Sequence, residues 1–424
     1  MAEPPTSLAD QLGRLLAADG ERSQGALSGV VVLDVTRVVA GPFCSMILAD
    51  LGATVIKIEH PSEPDYTRAF PPTLTSEDGG HFSAFFAQFN RNKLAITLNL
   101  GTEDGKQVLR QLAAGADVLV ENFRAGTMDK LGLGYEALRE INPRLVYTAL
   151  SGYGQTGPYR RRPAYDNSAQ ATGGLWSMNG VPGQPPTRVG TIIGDLAATF
   201  YGAIGTLAAL RHAEQTGAGQ LVDISQQDSV LSLTENAVVS YTVDGKVARP
   251  LGNEHPFVRP YELFECQDGY VFFGGYTDKF WRISCELFGE PELADDPAID
   301  TMAKRFDEPN YRTNVEPVIK RWFGHRTKAE LEAIAGDLVP LSAVKDIAEV
   351  VEDPQIAARD MIVDVDYPEF GRLSMVGSPL KLSRTPASPR GLAPAFGAHT
   401  DDVLRVMCGL GEGEVADLRA RGTI

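Results

Sequence analysis

The sequence is short of the residues that mark several common kinds of protein. Only four of its 424 residues are cysteine (Cys44, Cys266, Cys285, Cys408), far apart and in no CxxC pair. That excludes a disulfide framework and leaves reduced thiols, so a cytoplasmic protein is expected. The six histidines are scattered, with no His/Cys spacing of a metal site, and no metal is expected. Positive charge is scarce as well. Lys+Arg number 39 against 55 Asp+Glu, a net charge of -16. A nucleic-acid binder needs a basic face, so no nucleic-acid partner is expected. No apolar run approaches the length of a membrane span, and no membrane partner is expected. Residues 1–27 lack the apolar core of a signal peptide. They read as a flexible tail with one short helix around Leu8–Leu16.

Familiar nucleotide and hydrolase motifs are also missing. The first strand–helix turn reads TRVVAGP and carries no GxGxxG, so Glu59 at the end of the second strand is no ribose ligand and reads as a surface carboxylate. There is no GxxxxGK[ST] phosphate loop and no GxSxG nucleophile elbow.

What is present is an alternation of strands and helices. GVVVLDV (29–35) is a β-branched run of the kind buried on both faces of a sheet. AGPF opens a helix that ends near Gly52, and ATVIKIE is the next strand. Residues 102–115 read as a helix capped by Thr102. ADVLVENF, RLVYTALSG and QLVDIS read as further strands, and residues 195–217 form the longest helical stretch. This pattern predicts an α/β fold with a parallel sheet covered on both faces. After about residue 245, Pro and Gly thicken and DGYVFFGGY looks like a hairpin strand. The expected layout is a tail at 1–27, a large domain at 28–245, a small α+β domain at 246–350, and a return to the large domain at 351–424.

Charged residues that stand out do so locally. FNRNK supplies Arg91 and Lys93, ENFRAGTMDKLG supplies Arg124 and Lys130, and Arg160–Arg161–Arg162 precede Pro163. In an acidic chain such clusters suit a phosphate-rich ligand; solvated surface is the plainer reading of each. Asp166 follows Tyr165 in PAYDNSAQATGG and reads as a helix cap. Asp195 is the single charge in VGTIIGDLAATFYG, 29 residues further on (195 − 166).

The ordered motifs VLDVTRVVAGPF, LGATVIKIEHP, FNRNKLAITLNL, ADVLVENFRAGTMDKLGLGYE, NPRLVYTALSGYGQTGP, AYDNSAQATGG and IGDLAATFYG together resemble a class III CoA-transferase, from about residue 28 onward. That family includes the formyl-CoA:oxalate, carnitine, bile-acid and benzylsuccinate CoA-transferases. The resemblance implies a large Rossmann-like domain, a small domain and a homodimer of interlocked rings. It implies that Asp195 is the catalytic nucleophile, supported by Asp166 and Tyr165. It places Val38 and Val39 at the active site, His60 near the 3′-phosphate of CoA, Leu98 near the adenine and Lys130 on a phosphate. Arg91, Lys93 and Arg162 join the expected CoA contacts. No tightly bound cofactor is implied; coenzyme A or acyl-CoA is a substrate.

Two departures narrow the reading. Oxalate-type members have Gln where this chain has Val39. The related α-methylacyl-CoA racemases have His where this chain has Tyr165, and a racemase needs two acid/base groups astride the α-carbon. The expected activity is transfer of CoA from a donor acyl-CoA, such as succinyl-CoA, to a carboxylic acid. The alternatives are an acyl-CoA isomerase or racemase on the same fold, or a CoA-binding protein without turnover. An Asp at a helix start is expected to be kept ionised by the helix N–H groups.

Overall fold

A computed structural model describes residues 7–16, 25–387 and 391–424. The chain divides into two units. The first comprises residues 1–176, 189–239 and 357–424; the second, 177–188 and 240–356.

The first unit is built on six parallel strands: β1 (Val31–Asp34), β2 (Thr54–Glu59), β5 (Lys93–Thr97), β6 (Val118–Glu121), β7 (Val146–Ser151) and β8 (Leu221–Ser225). A short antiparallel ribbon, β3 (Thr73–Thr75) with β4 (His81–Ser83), lies between β2 and β5 in sequence. The order across the sheet is β5-β2-β1-β6-β7-β8. Strands β1 and β2 are buried along their whole length, which suits their Val- and Ile-rich sequences; the charged residues they carry, Asp34, Lys57 and Glu59, are ion-paired. Alternate residues feed two cores. Val31 and Leu33 pack with Leu109, Leu112 and Leu404 on one face; Val32 packs with Cys44, Leu48 and Ala203 on the other.

Strand order reverses between β1 and β6, with β2 and β5 on one side and β7 and β8 on the other. In open α/β sheets the chain leaves in opposite directions from the carboxyl ends of such neighbours and opens a crevice there. The first unit therefore offers a binding site beyond β1 and β6, whatever residues line it.

The helix Ile193–Thr216 crosses the sheet face beside the helix Ala40–Asp50. It can lie close because it is small where it touches. A Cβ on Gly205 would sit 2.6 Å from the Val222 side chain, and one on Gly202 3.1 Å from Cys44 Sγ. Contrary to the sequence expectation, this helix is long and apolar enough to cross a membrane by length and composition; half of that apolar window is buried within the protein. Strand β5 was not anticipated from KLAIT, yet all five of its residues are buried.

The expected flexible tail is contradicted over Leu8–Leu16. Residues 1–6 and 17–24 lie outside the described residues. Leu8–Leu16 is a helix whose Ala9 and Leu12 are buried in the first unit's core with Val403 and Leu404. The apolar stripe at Leu8, Leu12 and Leu15 explains the docking.

The second unit has a three-stranded antiparallel sheet in the order β11-β10-β9: β9 (Glu262–Cys266), β10 (Gly269–Phe273), β11 (Leu341–Ala343). Its core is aromatic, with Phe264, Phe273, Trp281, Trp322 and Phe323 buried together. Residues 177–188 belong to this unit rather than to the large domain in which the sequence placed them. There the Gly252 N–H donates to the Gly180 carbonyl (2.9 Å), tying the segment to the second unit's own chain. The first unit closes with the hairpin β12 (Ile362–Tyr367) and β13 (Gly371–Val376).

Candidate active site

A cavity of about 250 Å³ opens at the crevice beyond β1 and β6. Its walls are Arg37–Ala40 after β1, Asn122–Ala125 after β6, and Ser151 and Gly152 at the end of β7. Tyr66, Tyr165, Arg160, Arg162, Asp195 and Gln226 complete them.

The β1 loop is held in an unusual shape. Val38 has φ 72°, a left-handed conformation that a β-branched residue adopts only under constraint. The constraint is visible. The Val38 N–H donates to Asp65 Oδ2 at 3.1 Å, and Asp65 is itself fixed by buried Lys57 at 3.2 Å. Arg37 is clamped to β6's exit. Its N–H donates to Asn122 Oδ1 (2.9 Å), and Asn122 Nδ2 donates back to the Arg37 carbonyl (2.7 Å).

Asp195 is the third residue of the helix Ile193–Thr216, so it is not the cap; Ile192 is. The Gly194 N–H donates instead to Asp166 Oδ1 at 2.7 Å. Asp166 Oδ2 accepts from Gln170 Nε2 at 2.8 Å. Asp166 is thus a buried clamp on the start of the Asp195 helix rather than a cap of its own helix, Asp166–Thr172, whose cap is Tyr165. The approach is tight: a Cβ on Gly194 would lie 3.0 Å from Asp166 Oδ1.

One oxygen of Asp195, Oδ1, accepts a hydrogen bond from Gln226 Nε2. Burial, and then the Asp166 carboxylate, push the Asp195 pKa up to about 7, only partly offset by Gln226. The expectation of a carboxylate kept ionised by the helix is corrected here, because burial and the neighbouring Asp166 charge outweigh what the helix start offers. A carboxylate with a pKa near neutrality is a stronger nucleophile than an ordinary one, and it is ionised just where it is needed.

Four arginines line the cavity: Arg37, Arg124, Arg160 and Arg162. Among the described residues none has a carboxylate partner. The Arg162 guanidinium lies over the Tyr159 ring at 3.6 Å, which orients it without neutralising it. Four unpaired cations in a chain of net charge -16 point to an anionic ligand. A second cavity of about 370 Å³ shares Ala125 and Arg160 with the first and is lined by Lys130, Arg161, Tyr147 and buried Glu121. Burial raises the Glu121 pKa to about 8.

The sequence-predicted residues sort into three groups. Val38, Val39, Arg162, Tyr165 and Asp195 meet at the first cavity, with Asp166 directly behind Asp195. Lys130 lines the second. The others are elsewhere. Arg91 is buried in a two-pronged pair with Asp50 (2.7 and 3.1 Å). Lys93 is buried against Asp34 at 2.8 Å. Neither has a charge to spare for CoA. Leu98 is 1% exposed in the core and offers no face to an adenine. His60 accepts from the Ser62 N–H at 3.3 Å and lines neither cavity. Glu59, read as a surface carboxylate, is buried and paired with Arg68 at 2.6 Å.

Sequence reasoning missed Arg37, Tyr66, Asn122 and Gln226. The available signal was position. Arg37, Asn122 and Gln226 each follow the carboxyl end of a parallel strand, where α/β sheets bind ligands.

Residues 27–400 match the sequence model of the family described as CoA-transferase family III. The chain is 39% identical over 385 residues to the succinyl-CoA:mesaconate CoA-transferase of Haloarcula hispanica, covering 90% of this chain and 96% of that one. It is 37% identical over 411 residues to the succinyl-CoA–L-malate CoA-transferase beta subunit of Chloroflexus aurantiacus, covering 96% and 100%. Among solved structures it is similar to a CAIB/BAIF family protein from Brucella suis, with a TM-score of 0.78 and 32% identity over 90% of this chain and 99% of that one.

Proposed function

The chain belongs to CoA-transferase family III and is an enzyme that moves CoA from an acyl-CoA to a carboxylic acid, and from that premise we propose that Asp195 carries the group in covalent form. Asp195 Oδ2 attacks the donor thioester carbonyl, giving a mixed anhydride and CoA thiolate. The thiolate attacks Asp195 Cγ, giving an aspartyl-CoA thioester and the free donor acid. The acceptor carboxylate attacks the same Cγ, displacing CoA thiolate and forming a second anhydride. The thiolate then attacks the acceptor carbonyl and leaves as the new acyl-CoA, returning Asp195 as a carboxylate. Atoms and charge balance without a proton source, and every intermediate remains an activated acyl group.

The observation that carries this reading is a lone raised-pKa carboxylate in a cavity ringed by unpaired arginines. Asp166 has a positioning role. Lys130 and Arg161 would meet the CoA phosphates, and Arg37 and Arg162 the carboxylates of the exchanging acids. Relatives named for succinyl-CoA with mesaconate or malate support succinyl-CoA as donor and a short dicarboxylic acid as acceptor. Incubating the protein with succinyl-CoA and a panel of C4–C5 dicarboxylic and matched monocarboxylic acids should yield new acyl-CoA with the dicarboxylic acids. Equal turnover of the monocarboxylic acids would remove the arginines' assigned role; α-proton washout with no exchange would replace transfer by isomerisation.

A homodimer fits the exposed apolar side chains of the first unit, Phe200, Ile204, Leu231, Leu233 and Val238. Light scattering should return twice 45.7 kDa; the monomer mass would refute the dimer.

A further inference from the structure

Gln226 touches the reacting carboxylate yet has no part in the four steps above. It is 8% exposed and opens the helix Gln226–Ser232 directly after β8. Its setting is rigid. Ser225 caps the helix by accepting the Asp228 N–H (3.1 Å), and the Gln227 N–H donates to the Gly152 carbonyl at the end of β7 (3.1 Å). From there Gln226 Nε2 donates to Asp195 Oδ1.

That bond divides the labour of the two carboxylate oxygens. Oδ1 is held, so Oδ2 is the oxygen presented to the thioester. Once Oδ2 is acylated, or replaced by sulfur, Oδ1 is the carbonyl oxygen of the intermediate. Attack on Cγ by thiolate or by acceptor carboxylate then sends an electron pair onto Oδ1. The Gln226 N–H is already aimed at that atom, so it meets the developing charge with no reorganisation.

The cavity has other donors, among them Tyr66, Tyr165 and the arginines, but among the described residues Gln226 is the side chain that donates to Asp195. Val38 and Val39 have no side-chain donor, and the Asn122 amide is taken by the Arg37 backbone. We propose that Gln226 is the oxyanion donor for both attacks on the Asp195 carbonyl carbon. The proposal rests on the covalent reading of Asp195.

The test uses the full-length protein as Gln226→Met, which keeps the bulk and removes the N–H, and as Gln226→Asn, with thermal melts as the folding control. With succinyl-CoA and a turned-over acid, Gln226→Met should lose about 10²–10³-fold in kcat, the usual cost of one oxyanion donor. Its KM for succinyl-CoA should stay within about twofold, because the donor acts after binding. Rapid quench and mass spectrometry should show more of the enzyme trapped with acyl or CoA on Asp195 than in wild type, since attack on Cγ becomes slow. A kcat within about threefold of wild type overturns the proposal, and so does a loss of kcat with no added trapping. If neither wild type nor variant ever shows a modified Asp195, while Asp195→Asn is inactive, the covalent reading fails and takes the proposal with it.

Discussion

Asp195→Asn should cost at least ~10⁴-fold in kcat and at the same time make the protein more stable at pH 8. The activity loss follows from removing the only group assigned to covalent chemistry. The stability gain follows from the carboxylate's surroundings. Its folded-state pKa is raised to about 7 by burial and by Asp166, against about 3.9 in an unfolded chain. A raised carboxylate pKa gives stability that is fully present below about pH 4 and is lost as pH rises through about 7. At pH 8 the folded protein therefore holds a charge it would rather shed, and an uncharged Asn of the same shape relieves that strain. Full conversion of the shift would be about 4 kcal/mol. Partial solvent access reduces this to roughly 1–3 kcal/mol. The gain should grow between pH 5 and pH 8 in paired denaturant titrations and vanish near pH 4. A variant that is inactive and also less stable at pH 8 would mean that Asp195 is a structural carboxylate. Activity itself should fall by about tenfold per pH unit below 7, as the nucleophile takes up a proton.

Lys93→Met should be among the most destabilising single changes in the first unit, by roughly 3–5 kcal/mol. Lys93 Nζ donates to Asp34 Oδ2 (2.8 Å), the Pro42 carbonyl (2.8 Å) and Asn90 Oδ1 (2.9 Å), with both partners of the ion pair fully buried. Burial works against the Asp34 charge, but Lys93 and Lys57 outweigh it and hold Asp34 well below the usual carboxylate range. Removing the lysine leaves that charge without its closest cation. Asp34→Asn in the same chain should recover part of the loss, because the uncompensated charge goes too. The experiment also separates two roles for FNRNK. A core lysine shifts the unfolding midpoint; a lysine on a CoA phosphate would raise KM for acyl-CoA and leave the midpoint where it was.

That contrast shows where the sequence could be read and where it could not. β1, β2, β6 and β7 were legible because a strand buried on both faces is mostly apolar and rich in β-branched residues, and runs such as VVVLDV say so without help from the rest of the chain. The helix over Asp195 was legible from its length and from Gly217 at its end. Asp195 itself stood out as one charge in an apolar stretch after Gly194. Arg91 and Lys93 were misread because their partners, Asp50 and Asp34, lie 41 and 59 residues earlier. A basic cluster looks the same in sequence whether it faces solvent or closes a core. Gln226 had no local mark at all. Its meaning comes from β8 lying beside β7, which carries QQDS to a carboxylate 31 residues earlier. The Leu8–Leu16 helix was visible as a helix, but its docking depends on Val403 and Leu404 at the far end of the chain.

The central claim is that Asp195 forms and breaks bonds to the acids it exchanges. The most direct measurement turns the enzyme over with an acceptor acid labelled with ¹⁸O in its reacting carboxylate, then weighs the peptide that contains Asp195. In the four-step scheme the acceptor attacks the aspartyl thioester through a labelled oxygen. Capture of its acyl group by CoA leaves that oxygen on Asp195. The peptide should gain ¹⁸O during turnover, and none when the donor acyl-CoA is omitted. Turnover to labelled acyl-CoA with Asp195 still carrying only its original oxygens would contradict the account.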